Sequence, residues 1–188
     1  MNHLLSIESL SANEIEDLLQ LGLRLKSLRG KPRHPTPLRG QTWALIFGKS
    51  STRTRVSFEV GIRELGGNSL FLGVPDIQLG RGETVEDTAR VLSRYIHGVV
   101  IRTYAQNDVD TLARVGSIPV INALTDEEHP CQILADLMTW AEKLLPQKHS
   151  GTGSSKNKPK RLCDLFRDKT VVFFGDAACN VAQSWIFA

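Results

Sequence analysis

The chain has 188 residues, a formal net charge of +3, and 41% hydrophobic and 23% charged residues. This length suits one full domain and part of another, and the composition is that of a globular protein rather than a disordered one. No run approaches about 18 uninterrupted apolar residues, so no membrane-spanning helix is expected.

The positive charge is concentrated in one place. Lys148, Lys156, Lys158, Lys160 and Arg161 fall in a stretch without acids, and the remainder of the chain is slightly acidic. A nucleic-acid surface would array its basic residues along one groove-facing element, so this run reads as a solvated loop and no nucleic-acid partner is expected. Cys131, Cys163 and Cys179 are odd in number, widely spaced and free of any CxxC pair, which suggests a reducing compartment. Near the start, Leu4 and Leu5 are soon followed by Glu8, which leaves no signal-peptide core. The first twenty residues hold four acids and no arginine, unlike a mitochondrial transit peptide. The expected location is the cytoplasm.

Ser11 and Glu14 form a capping-box pattern, and Ile15, Leu18, Leu19, Leu25 and Leu28 then recur at helical spacing. Gly30 and Pro32 end that helix. Thr42 to Phe47 is a short apolar run and predicts a buried strand. Val56 to Leu65 predicts a helix, Ser69 to Leu72 a strand, and Glu83 to Tyr95 a helix. Gly98 to Arg102 predicts a strand, Asp108 to Val115 a helix, and Ile118 to Ile121 another strand. Pro130 to Leu145 predicts a strong helix with Ile133, Leu134, Leu137, Met138, Ala141, Leu144 and Leu145 on its apolar face. Strands alternating with helices imply an α/β fold, a parallel sheet flanked by helices. Gln147 to Lys160 lacks apolar periodicity and reads as a linker. Lys169 to Gly175 predicts a fresh strand running toward a helix that is still in progress at Ala188, the truncated start of a second α/β domain.

In open α/β sheets, ligands bind at the carboxyl ends of strands. Three polar segments lie at such ends. The first carries hydroxyls at Ser50, Ser51, Thr52 and Thr54 and cations at Lys49, Arg53 and Arg55, and it leads into a helix. Helix N-termini bind anions through their free N–H groups, and arginine adds bidentate phosphate geometry. The alternative is a helix cap with surface arginines. A P-loop is excluded, because Trp43 stands where that motif needs glycine, and Gly175 to Ala177 is a poor match to GxGxxG. The second segment is Arg102. The third is His129 to Gln132, at a helix start, where an imidazole could polarise a carbonyl and Gln132 could pair with an amide. A lone histidine is more often structural. Cys131 lies two residues from His129, and residues so spaced on a helix do not face each other, which disfavours a cysteine nucleophile.

Together these segments resemble the aspartate/ornithine carbamoyltransferase family. Ser51-Thr-Arg-Thr-Arg55 with Val56-Ser-Phe-Glu59 is similar to its carbamoyl phosphate signature. Phe47-x-Lys49, Gln78-Leu-Gly80 with Glu83, Asp87 to Leu92, and His129-Pro-Cys-Gln132 with Leu134-Ala-Asp136 look like the ornithine branch. The resemblance implies that Ser51, Thr52, Arg53 and Thr54 hold phosphate, and that Arg102 bridges phosphate and the carbonyl oxygen. It also implies that Thr54 and His129 touch that oxygen, that Gln132 binds the carbamoyl NH2, and that Gln78 reaches a neighbouring subunit of a homotrimer. Asn180 would contact L-ornithine, whose δ-amine attacks carbamoyl phosphate to give L-citrulline. No metal and no cofactor is implied. The expected domains are 1–145 for carbamoyl phosphate, a basic Gly/Ser/Lys-rich linker at 146–168, and the start of the ornithine domain at 169–188. Three departures stand out: Ser50 where the family often has proline, Cys179 beside Asn180 where it often has asparagine, and, the largest, no counterpart in these 188 residues to the family's later motifs for the ornithine α-amino and carboxylate groups, so the expected ornithine specificity rests on the first half. Other acceptors (putrescine, acetylornithine, aspartate) and a non-catalytic binding or assembly module are the competing expectations.

Overall fold

The computed structural model describes residues 2–73, 82–145 and 161–188. At its centre is a four-stranded parallel sheet of β1 (Thr42–Phe47), β2 (Asn68–Gly73), β3 (Gly98–Arg102) and β4 (Val120–Leu124), in the order β2-β1-β3-β4. The helices are α1 (Ala12–Leu28), α2 (Arg53–Glu64), α3 (Val85–Tyr95), α4 (Gln106–Val115), α5 (Pro130–Leu144) and α6 (Asn180–Phe187), with a 3-10 turn at Cys163–Phe166.

Strand alternation sorts the core into two faces. Ala44, Ile46, Val99 and Ile101 point to one side, where Ala89 of α3 and Val109 and Leu112 of α4 cover them. Leu45, Phe47 and Val100 point to the other, against Ile62 of α2. Both faces of β1 and β3 are buried, which explains why their sequences are apolar throughout. A third cluster joins Ile15 and Leu19 of α1 to Ile133 and Leu137 of α5. Gly98 is needed where it stands, since a Cβ there would lie 2.5 Å from the Trp43 ring.

Both bonds of the Ser11–Glu14 capping box are present. Elsewhere the element ends shift. α2 begins at Arg53 rather than Val56, so the Arg53-Thr-Arg55 part of the polar signature forms its first turn; that turn is polar and gives no apolar periodicity, and Val56 itself is exposed. β4 runs from Val120 to Leu124 rather than 118 to 121, because Pro119 has no N–H to give a ladder, although its carbonyl still accepts from Val99 at 2.9 Å. Leu4 forms an isolated parallel bridge to Ile121 and so covers the outer edge of β4.

The expected strand at Lys169–Gly175 is absent. The segment has no ladder partner among the described residues, and Phe174 is 90% exposed. An apolar run becomes a strand only beside another strand, and none of the described strands lies next to it. By contrast, Trp185 and Phe187 of α6 do find apolar partners. They pack on the α1–α5 cluster, with Trp185 edge-on to Trp140 at 6.5 Å, while Ile186 is exposed.

Candidate active site

The sheet order places a topological switch between β1 and β3. The chain leaves β1 toward β2 on one side and returns through β3 on the other, which opens a crevice at the carboxyl ends of the two strands. Phe47 pairs with Arg102 in register, and the Gly48 N–H donates to the Arg102 carbonyl at 2.8 Å. The loop after β1 and the last residue of β3 are therefore stitched together at the crevice. A cleft of about 760 Å³ opens there, lined by Ser51, Thr52, Arg53 and Thr54 from the start of α2, by Arg102, and by His129 and Gln132 from the start of α5.

Thr52 is the N-cap of α2 and makes no side-chain cap bond. The first-turn N–H groups are thus left uncapped by Thr52, and residues of that turn line the cleft, an arrangement suited to an anion. The three cations of this loop separate. Arg53 lines the cleft. The Arg55 guanidinium lies 3.6 Å over the Phe71 ring and pairs with Glu59 at 3.7 Å. Lys49 pairs with Asp126 and sits 4.4 Å over the Tyr104 ring. It thereby ties together the loops that follow β1, β3 and β4.

Two side-chain atoms in this cleft, Arg102 Nε and His129 Nδ1, are buried and have no hydrogen-bond partner among the described residues. Buried polar groups are normally paired, so two in one cleft mark a place built to receive polar atoms. Burial lowers the Arg102 pKa from its ordinary value. Burial, with the Arg102 cation beside it and Asp136 opposing, lowers the His129 pKa to about 4. The imidazole is therefore neutral at pH 7, with one N–H to donate. Gln132 Nε2 donates to Asp136 at 2.8 Å, which leaves its amide oxygen as an acceptor. Burial pushes the Cys131 thiol up to about 12, and its Sγ donates to the Asn122 carbonyl at 3.3 Å, so it is no nucleophile at neutral pH.

Asn180 is outside the lining of this cleft. Its Nδ2 donates to the Thr125 carbonyl at 2.6 Å. Gln78 lies outside the described residues. The sequence reading missed Ser57 and Phe58, which also line the cleft. Ser57 was detectable, since it stands one helical turn after Thr54 and donates to its carbonyl at 2.9 Å. Among the described residues no cluster of His, Cys, Asp and Glu could hold a metal ion, and no helix is long and apolar enough to cross a membrane.

Residues 2–142 match the family described as aspartate/ornithine carbamoyltransferase, carbamoyl-P binding domain. The ornithine carbamoyltransferase of Akkermansia muciniphila is 57% identical over all 188 residues, which make up 56% of that protein. The structure of ornithine carbamoyltransferase from Pyrococcus furiosus is similar over 76% of this chain and 45% of its own, with a TM-score of 0.72 and 49% identity. That of ornithine transcarbamoylase from Giardia lamblia is similar over 96% of this chain and 52% of its own, with a TM-score of 0.75 and 30% identity. The chain spans about half the length of the curated relatives it matches. With the switch-point cleft, the α/β sheet and the family pattern in agreement, the chain belongs to the aspartate/ornithine carbamoyltransferase family, which it matches through the carbamoyl-P binding domain.

Proposed function

We propose that this chain is the carbamoyl phosphate-binding half of an ornithine carbamoyltransferase, which moves the carbamoyl group onto the δ-amine of L-ornithine and releases L-citrulline and phosphate. The observation that carries the reading is the meeting of the α2 first turn, Arg102 and His129 in one cleft. Phosphate would rest on the N–H groups of that turn, with the Ser51, Thr52 and Thr54 hydroxyls and the Arg53 guanidinium around it. Arg102 would bridge phosphate and the carbamoyl oxygen. Thr54 and the neutral His129 would donate to the same oxygen, and Gln132 would accept from the carbamoyl NH2.

Amine attack on the carbamoyl carbon moves an electron pair onto that oxygen. Donors already aimed there stabilise the tetrahedral intermediate more than the ground state. The intermediate then collapses, the bond from carbon to phosphate oxygen breaks, and the amine proton passes to the departing phosphate. Asn180, with its amide oxygen still an acceptor, would meet the ornithine. The same reading includes a homotrimer in which Gln78 reaches the neighbouring cleft, a cytoplasmic setting, and a place in arginine biosynthesis or breakdown; its support is the relatives' names and the motif resemblance.

Carbamoyl transfer is tested by joining residues 1–188 to the remaining half of the Akkermansia muciniphila relative and assaying citrulline colorimetrically. The joined protein should make citrulline from carbamoyl phosphate and ornithine, and its Arg53→Ala form should not. A folded joined protein without product, or an Arg53→Ala form with full activity, contradicts the reading.

A further inference from the structure

The carboxylate of Glu128, the residue before His129, is buried at 4% exposure with no ion-pair partner among the described residues. Burying an acid is costly, so its bonds are informative. Its Oε2 accepts from the Ile7 N–H at 2.8 Å and from the Ser184 hydroxyl at 3.3 Å. The Ser184 Oγ in turn accepts the backbone N–H of His129 at 2.9 Å. Ser184 is fully buried and lies on α6, 55 residues from the peptide it holds. Asn180, one helical turn before Ser184 and so on the same face of α6, holds the Thr125 carbonyl of the same loop at 2.6 Å. The Thr125 hydroxyl accepts from the Glu128 N–H at 3.0 Å and closes the loop on itself.

These bonds converge on the peptide plane that carries His129. His129 is the N-cap of α5, with φ −134° and ψ 68°, and no side-chain cap bond fixes it from within the helix. An N-cap N–H lies outside the helical ladder, so the peptide before His129 takes its orientation from whatever accepts that hydrogen. Here the acceptor is a hydroxyl whose own proton is directed to Glu128. Turning this plane swings the Cα–Cβ bond and moves the imidazole relative to Arg102.

We infer that Glu128 and Ser184 are positioning residues for His129, through which α6 sets the pose of the imidazole in the carbamoyl end of the cleft. The inference rests on the carbamoyl phosphate reading given above. Neither residue lines the cleft. Their effect is therefore confined to what His129 contributes, and the phosphate end, built on α2, is untouched.

The test uses the full 188-residue chain and two probes, inorganic phosphate and carbamoyl phosphate, titrated calorimetrically. Phosphate reports the α2 turn with Arg102, without His129, and the ratio of the two affinities reports the carbamoyl end. Ser184→Ala and Glu128→Gln should each lower that ratio about five- to tenfold, the size of one lost buried hydrogen bond, with phosphate affinity unchanged. The His129 imidazole resonances should shift in both variants. Near-UV circular dichroism from Trp140 and Trp185 checks the fold, and Glu128→Gln carries the test should Ser184→Ala unfold. An unchanged ratio overturns the inference, as does an equal fall in both affinities, the mark of general loosening. A wild-type chain that binds the two probes alike contradicts the reading of the cleft itself, a distinct failure.

Discussion

His129 is held neutral by burial and by Arg102, and this has consequences at two levels. Its pKa near 4 lies below the ordinary 6.5, so between these values the unfolded chain binds more protons than the folded one. Stability contributed by this group is complete above pH 6.5 and is lost as pH falls toward 4. An NMR titration of the imidazole should give a midpoint near 4; a midpoint near 6.5 would remove the buried, Arg102-facing environment. In the joined enzyme, His129→Ala should lower turnover by about 10²–10³ while phosphate affinity changes little, because a donor aimed at the developing oxyanion acts mainly in the transition state. Unchanged turnover would make His129 a structural residue. Ser51 to Thr54, Arg102, His129 and Gln132 were legible in the sequence because each polar segment follows an apolar strand run. The partners of Lys49, and the Glu128–Ser184 pair, were not. Those ties join residues 77 and 56 positions apart, and no local pattern encodes them.

The elements divide in the same way. β1 and β3 could be read directly because both of their faces are buried and their runs are continuously apolar. The segment 169–175 has the same composition but no neighbouring strand among the described residues, so composition alone misleads there. The 3-10 turn at Cys163–Phe166 was invisible in a stretch read as linker. It is fastened to α1 by Glu16, whose carboxylate accepts from the Leu162 and Cys163 N–H groups, each at 2.8 Å, and from Gln20 at 2.6 Å. Burial alone would raise the Glu16 pKa, but these donors outweigh it and hold it at about 2. This contribution is present above about pH 4.5 and is lost as pH falls toward 2, since the unfolded carboxylate protonates first. Glu16→Ala should destabilise the chain by about 2–3 kcal/mol at pH 7, the scale of charge-assisted bonds lost at a buried acceptor. Urea denaturation measures it, and a change below about 0.5 kcal/mol, the size of an ordinary surface substitution, would show that the clasp carries no weight.

At the scale of the whole molecule, the chain spans about half the length of its relatives, and under the proposed function it would hold one of two substrates. Val172 and Phe174 stand exposed, and the proposed phosphate and carbamoyl contacts all come from residues lining one cleft. Proximity of two held substrates can be worth roughly 7–11 kcal/mol. The 188-residue chain should therefore make no citrulline by itself from carbamoyl phosphate and ornithine, with an intact relative as the positive control; turnover near that of the control would show that this half suffices. Binding is the more direct question, because it asks of the chain only what its own residues provide. Calorimetric titration of carbamoyl phosphate into the chain and into Arg53→Ala answers it. Weak but saturable binding at one site, lost in a variant that keeps the wild-type fold, is the expected result. Equal affinities in the two proteins, or no binding to the folded wild-type chain, would contradict the assignment of the switch-point cleft as a carbamoyl phosphate site.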